Sequence, residues 1–369
     1  MPEKPVHLPV ETVEYFIRDA FIKLGVPADD AQLCSEVLIA SDLRGIQSHG
    51  IGRLRYYYDR IISGRHKVVT NIQVIRESPT TVVLDGQHGM GMVVARRAMQ
   101  MAIEKARDYG MGSAAVRNST HFGIAGYYPM MAVKEGMVGT AVTNASPSMA
   151  PTFGVQPMMG TNPIAFAAPT DEEFPFVFDA ATPIIQRGKV EVYEREEKQM
   201  PTGWVVDENN QAMTNPTEVM NALKRGTACL LPLGGEGEQL GGHKGYGLGT
   251  MVEILSASLQ SGNFLTSVLG TDINGKYLPN SLGHFFMAMN IEAFTDLEDF
   301  KKTTGDLLRE LRASRKAPGQ ARIYTAGEKE YENEKQVRAE GVPIVPNLQK
   351  DLLFIKKELG LSEYKFSFE

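Results

Sequence analysis

Gly89-Met90-Gly91-Met92-Val93-Val94-Ala95 is the stretch on which the fold turns. It follows a strand-like run, Thr80 to Leu84, and opens a strongly helical one, Val93 to Asp108. It therefore imitates the G-x-G-x-x-x-A form of the dinucleotide-binding fingerprint. A doubly wound nucleotide fold built on such a turn needs an acidic side chain at the end of its second strand, to take the ribose hydroxyls. The next strand-like run, Ser113 to Val116, is followed instead by Arg117 and Asn118. The glycines are read as a close-packed turn between strand and helix.

Outward from that turn, Val138 to Thr143 and Phe176 to Phe178 continue the strand pattern, so an α/β domain occupies the middle of the chain. Upstream, apolar residues at Val10, Val13, Ile17, Phe21 and Leu24 predict a helix closed by Gly25 and Pro27. A second helix is expected from Asp29 or Asp30 to Asp42, with the aspartates as N-caps, and a third from Ser48 to about Ile62. Between Asn144 and Pro169 the chain is too rich in Pro, Gly and Asn for a regular element, and this long loop is a candidate wall of a ligand cleft. A Gly-rich stretch from Leu233 to Gly242 precedes Lys244 and a helix expected from Tyr246 to Leu259. Two further helices are predicted at Leu297 to Arg312 and Leu348 to Leu359.

A chain of 369 residues exceeds one ordinary core, so two substructures with a cleft between them are expected. The formal charge of −6, without a basic stripe, excludes a nucleic-acid partner. Cys34 and Cys229 are too few and too distant for a disulfide framework or a thiolate metal site, and read as buried thiols. Met1 to Pro9 lacks the apolar core of a signal peptide, and no run of apolar residues is long enough to span a membrane, so a cytoplasmic protein is expected.

Two groups of residues carry chemistry. On a helix starting near Ser48, positions 49, 53 and 57 share a face, gathering His49, Arg53 and Tyr57. A guanidinium fork beside a helix N-terminus suits a small carboxylate. The alternative is a solvated face on which Arg53 pairs with Asp59 or Asp42. His121 lies in Asn118-Ser-Thr-His-Phe-Gly-Ile-Ala-Gly126, beyond a strand end, where open α/β sheets bind ligands and where an imidazole can exchange a proton. A histidine tied to the backbone of a turn is the competing account. The P-loop spacing, the G-x-S-x-G elbow and H-E-x-x-H are all absent, which argues against hydrolase and metalloenzyme chemistry and leaves no metal site.

The run Asp42-Leu-Arg-Gly45-Ile-Gln-Ser48-His49-Gly50-Ile-Gly-Arg53-Leu-Arg-Tyr56-Tyr57 resembles the N-terminal signature of the malate/L-lactate dehydrogenase family. Asn118 to Gly126, Met159-Gly-Thr-Asn162-Pro163-Ile-Ala-Phe166, Phe178-Asp179-Ala-Ala-Thr182 and Gly242-His-Lys244-Gly-Tyr-Gly247-Leu follow in the family's order, so the resemblance covers essentially the whole chain. It implies a non-Rossmann α/β cofactor-binding domain with a mixed sheet, residues 76–289, inserted into a mostly helical domain formed by 1–75 and 290–369, and a homodimer. It implies His121 as the catalytic proton acceptor with His49 beside it, and Ser48, Arg53 and Tyr57 as the substrate pocket. It implies cofactor contacts at Asp179, Ala180, Ala181, Lys244, Gly327, Glu328 and Lys329. Ala145 departs from the pattern, standing where some relatives carry a cofactor-contacting serine. The cofactor is expected to be NAD or NADP, NAD preferred, and the substrate a small 2-hydroxy or 2-oxo acid. The Leu230-Leu-Pro-Leu-Gly-Gly235 segment is more similar to the malate and lactate members than to the ureidoglycolate ones, and malate with oxaloacetate is the expected pair. Lactate, sulfolactate, ureidoglycolate, a cyclic imino acid, or a silent nucleotide-binding protein are the alternatives.

Overall fold

The computed structural model describes residues 5–195, 197–270 and 278–369. The chain opens with β1 (Val6–Leu8), α1 (Val10–Lys23), α2 (Ala28–Leu43) and α3 (Leu54–Ile62). Val13, Phe16, Ile17, Ala20 and Phe21 form the buried stripe of α1, the i, i+3, i+4 spacing that places side chains on one helical face. α2 starts one or two residues before the expected caps. Asp29 and Asp30 lie inside its first turn, where they favour the helix dipole rather than cap it.

The middle of the chain forms β2 (Gln73–Glu77), β3 (Thr81–Asp85), α4 (Gly91–Tyr109), β4 (Met111–Ser119), α5 (Tyr127–Lys134), β5 (Met137–Thr143), β6 (Ile164–Ala168) and β7 (Phe176–Ala180). The expected long loop is thus shorter than the span Asn144 to Pro169, because β6 occupies its last part. A smaller cluster follows, of α6 (Arg187–Arg195), β8 (Val205–Asp207), α7 (Pro216–Arg225) and β9 (Ala228–Leu230), packed around Val190, Val205, Val219 and Leu230. The chain ends with α8 (Gly242–Ala257), β10 (Leu282–Asn290), α9 (Leu297–Ala313), α10 (Glu328–Glu340), β11 (Val342–Ile344) and α11 (Pro346–Leu359). α8 begins four residues before the expected Tyr246. Its glycines are there for close approach: a Cβ on Gly245 would stand 2.3 Å from the Leu233 carbonyl oxygen.

The large sheet has the order β2-β3-β4-β10-β5-β6-β7. Only β3 and β4 run parallel; every other neighbouring pair is antiparallel, with the late strand β10 inserted between β4 and β5. A mixed sheet with an antiparallel centre is not a Rossmann sheet. The β3–α4–β4 unit is the part that imitates one. At its turn a Cβ on Gly91 would lie 2.1 Å from the Thr120 carbonyl oxygen, so any side chain there would force the helix and the Thr120 backbone apart. The Gly91 N–H donates to Thr120 Oγ1 at 2.9 Å, and the Met90 N–H to Thr70 Oγ1 at 3.1 Å. The helix N-terminus that would hold a pyrophosphate in a Rossmann unit is thus spent on protein hydroxyls.

Two main cores result. One unites α1, α2 and α3 with β11 and α11 through Phe16, Phe21, Leu38, Tyr57, Ile344 and Leu352, so both chain ends share one helical layer. The other joins α4 and α5 to the sheet through Met99, Val116, Tyr128 and Phe286. α9 lies on the sheet's side, where Leu297 and Phe300 pack on Val138 and Ala168.

Candidate active site

The predicted helix face does not exist as drawn. Residues 47–50 form a turn, Ile51–Arg53 a single 3-10 turn, and only then does α3 begin. The buried Asp42 carboxyl accepts the Ile51 N–H at 2.7 Å and holds that turn; burial raises its pKa to about 7. The change of helical type shifts the phase, so Arg53, Tyr56 and Arg60, at i, i+3 and i+7, face the same cavity of about 240 Å³ as His49 and His121. Tyr57 does not line that cavity; it is wholly buried behind it.

The Tyr57 hydroxyl lies 2.6 Å from His121 Nδ1, on which the Gly123 N–H also converges at 3.3 Å. His121 is therefore fixed from behind through Nδ1, leaving Nε2 for the cavity. The same hydroxyl is 3.5 Å from the His121 carbonyl oxygen. Turned toward that carbonyl, Tyr57 accepts from Nδ1–H, the Gly123 N–H no longer bonds that nitrogen, and Nε2 is bare, a base. Turned toward Nδ1, it donates, and the neutral ring carries its proton on Nε2, an acid. His49 stacks on His121 with 5.6 Å between ring centres, and Ser48 Oγ contacts His49 Nδ1 at 2.9 Å. Ser48 itself borders a neighbouring cavity of about 190 Å³ beside Asp42. Arg53 lines both cavities and donates through Nε to the Ser48 carbonyl oxygen at 2.6 Å.

Burial, and then the charges of His49 and Arg53, hold the His121 pKa well below its usual 6.5. His49, His66 and His284 are each pushed down to about 3, burial being the largest cause in every case. His121 is thus neutral at physiological pH.

The loop after β5 closes the other side, with Ala145, Ser146, Pro147 and Ser148 lining the cavity that holds His121. Although Ala145 lacks a hydroxyl, Ser148 Oγ is buried there without a partner. A further cavity, of about 180 Å³, is lined by Arg44, Gly126, Phe178, Asp179, Gly327 and Tyr331. Asp179 is exposed as a residue and accepts the Gly126 N–H at 2.6 Å, and desolvation of its carboxyl by the chain packed around it raises its pKa to about 6. The segment Thr120 to Gly126 thus carries His121 into one cavity and Gly126 into another.

The remaining predicted cofactor residues divide. Ala180 and Ala181 are half-buried at the end of β7, next to Asp179. The Glu328 carboxylate is engaged by Arg322, Arg312 and the Thr325 N–H, which makes it a clamp on the α10 N-terminus rather than a free ligand. Lys329 is exposed, its ammonium 4.5 Å from the Tyr324 ring centre. Lys244 is exposed in the first turn of α8 and lines neither of the cavities that hold His121 and Asp179. Sequence reasoning passed over Arg44, Tyr56, Arg60, Asn280 and Tyr331; the i, i+7 repeat of Arg53 and Arg60 was the available signal.

The sequence model of the malate/L-lactate dehydrogenases matches residues 8–353. Malate dehydrogenase from Pyrococcus horikoshii is 43% identical over 97% of this chain and 97% of its own length. L-sulfolactate dehydrogenase from Methanocaldococcus jannaschii is 38% identical over 95% of this chain and 97% of its own. The crystal structure of malate dehydrogenase from Entamoeba histolytica superposes with a TM-score of 0.94 at 42% identity, covering 99% of this chain and all of that one. A half-buried histidine steadied by a tyrosine, an arginine beside it, a mixed sheet and these full-length likenesses agree. The chain belongs to the malate/L-lactate dehydrogenase family, enzymes that move a hydride between a nicotinamide cofactor and a 2-hydroxy acid.

Proposed function

We propose that this protein interconverts malate and oxaloacetate with NAD. The observation that carries the chemistry is His121, neutral, backed by Tyr57 and sharing one cavity with Arg53. Arg53 takes the C1 carboxylate as a bidentate pair, its Nε already anchored on Ser48. His121 Nε2 receives the C2 hydroxyl proton in oxidation and returns it to the carbonyl oxygen in reduction. An anionic substrate beside Arg53 offsets the positive charge that depresses His121, so binding raises the proton affinity of the base when it is needed. His49 orients the ring by stacking. The nicotinamide, when bound, supplies the hydride acceptor or donor.

The residues fit such a cofactor. The cavity at Asp179 and Gly327 lies along the same segment as His121, close enough in sequence for one extended dinucleotide to use both. Asp179, Glu330 and Glu334 line it against the single basic residue Arg44, a balance that suits a ribose diol better than a 2′-phosphate and favours NAD over NADP. Malate is favoured over lactate by the likeness to malate dehydrogenases across nearly the full chain. We place the protein in the cytoplasm; no helix among the described residues is long and apolar enough to cross a membrane. A homodimer is supported by the outer face of α8, where Leu248, Met251 and Ile254 are all more than a third exposed. Sedimentation at micromolar concentration should give twice the chain mass.

The test mixes the protein with NADH or NADPH and follows absorbance loss with oxaloacetate, pyruvate, 2-oxobutyrate, sulfopyruvate and a cyclic imine. Fast oxidation of NADH by oxaloacetate is the expected result. Preference for another acid would replace malate and keep the mechanism. Nucleotide binding without turnover of any acceptor would leave a silent binding protein.

A further inference from the structure

The cavity around His121 is lined by Arg53, Arg60 and Arg187 and by no aspartate or glutamate. Positive heads gathered in one half-enclosed space repel one another, and an anionic guest relieves that repulsion. The three arginines are not equivalent. Arg187 faces Glu191 on its own helix, with Nε 3.5 Å from the carboxylate. Arg53 is tied to Ser48 and assigned to the C1 carboxylate. Arg60 makes no ion pair among the described residues; its guanidinium carbon stands 4.9 Å from the centre of the Tyr56 ring. The guanidinium carbon of Arg53 is 6.0 Å from the same ring centre, so the two heads can be no more than about 11 Å apart.

A short diacid can span any separation within that bound. The carboxyl carbons of a four-carbon diacid lie about 4 Å apart by ordinary bond lengths. Each sits about 4 Å from its guanidinium carbon in a bidentate pair, so the acid bridges up to about 12 Å. Asn280, 2% exposed, lines the same cavity, and its side-chain oxygen is buried without a partner. A buried amide oxygen left unsatisfied is a second sign of a missing polar guest, and with the amide turned over its NH2 takes that place and donates to an anionic oxygen.

We propose that Arg60, helped by Asn280, seats the second acidic group of the substrate, so that the site selects 2-oxo and 2-hydroxy acids ending in a carboxylate or sulfonate over monocarboxylates. This rests on the dehydrogenase reading and adds to it the residue that sets substrate class. Arg53 fixes the reacting end under His121; Arg60 fixes the tail and thereby the rotation of C2 toward the cofactor.

The test compares wild type, Arg60→Gln and Arg60→Lys with NADH and three acceptors: oxaloacetate, sulfopyruvate and 2-oxobutyrate, a four-carbon monocarboxylate. Arg60→Gln should lower kcat/KM for both diacids by on the order of a hundredfold, mainly through KM, and leave 2-oxobutyrate unchanged or improved. Arg60→Lys should recover part of the loss. The dissociation constants for L-malate, L-lactate and NADH, measured by calorimetry, give a readout that needs no turnover: only that for malate should rise. Equal losses on diacids and monoacid would assign Arg60 a structural role, weaker NADH binding would give it to the cofactor, and no change would remove it from the site. Each of those results overturns the proposal. If wild type reduces none of the acceptors while Arg60→Gln still weakens malate selectively, the dehydrogenase reading fails and the diacid site stands.

Discussion

At the scale of residues, the site depends on one hydroxyl behind one imidazole. His121→Ala should lower kcat by roughly two to four decades, the range for a positioned general base, with the NADH dissociation constant nearly unchanged. Tyr57→Phe keeps the buried ring and deletes only the group 2.6 Å from Nδ1. It should lower kcat by about tenfold or more with little change in the thermal midpoint, because His121 loses the partner that favours one tautomer or the other. An unchanged kcat in steady-state assays would show that Gly123 alone fixes the ring. Residue type, spacing and place along the chain marked Arg53 and His121 as candidates with other accounts still open, and the structure brings the two to one cavity. Tyr57 was visible as a site residue but not in its buried position, since a helical wheel cannot reveal that Ile51–Arg53 is a 3-10 turn that rotates all later residues.

At the scale of elements, the turn from β3 into α4 links packing to chemistry. Gly91 abuts the backbone of Thr120 and His121, with the His121 carbonyl oxygen 2.6 Å from the place its Cβ would take. Gly91→Ala should destabilise the fold by about 1–3 kcal/mol, the usual cost of overpacking, read as a lower urea midpoint. It should also depress kcat more than any alanine on the exposed face of α4, because the backbone it pushes carries His121, the proposed base. Elements with an apolar stripe, such as α1 and α4, could be located to within a few residues from periodicity alone. α10 could not: among its residues only Glu328 and Val337 are buried, so no hydrophobic rhythm announces it. α8 hid its first turn in glycines that look like loop and serve as a packing surface.

At the scale of the whole molecule, the pKa shifts predict an acid-labile protein. His49, His66 and His284 have folded pKa values of about 3 against 6.5 when exposed. Below pH 6.5 the unfolded chain binds protons that the folded one refuses, so stability falls as pH drops from 6.5 toward 3. At pH 5 the loss is roughly 2 kcal/mol for each of the three histidines, and His121 adds to it in the same direction. Asp42 and Asp179, with pKa values raised to about 7 and about 6, act oppositely and bind protons more readily when folded. Asp30, Glu253 and Asp351 are raised as well and act with them, whereas the lowered carboxyls of Asp85, Asp171, Glu173, Asp306 and Glu369 add to the loss, so the raised carboxyls offset only part of it. Calorimetric scans should show a lower melting temperature at pH 5 than at pH 7; a higher one would place the histidines in contact with solvent. The mixed sheet was foreseeable only through resemblance, because nothing local in the sequence announces that Leu282–Asn290 pairs with strands more than a hundred residues earlier.

That late strand bears on how the protein is made. During synthesis β4 and β5 emerge long before β10 and keep their facing edges open until residues 282–290 follow. At about 5–20 residues per second, the wait is on the order of ten seconds. Through that interval the nascent chain presents bare strand edges that invite pairing with neighbours. Ribosome-bound chains stopped before residue 282 should be protease-sensitive and held by chaperones, whereas chains extended past the last helix should become resistant within seconds of release. The protein cannot mature domain by domain from its front end, and its yield in the cell should depend more on chaperone supply than its final stability suggests.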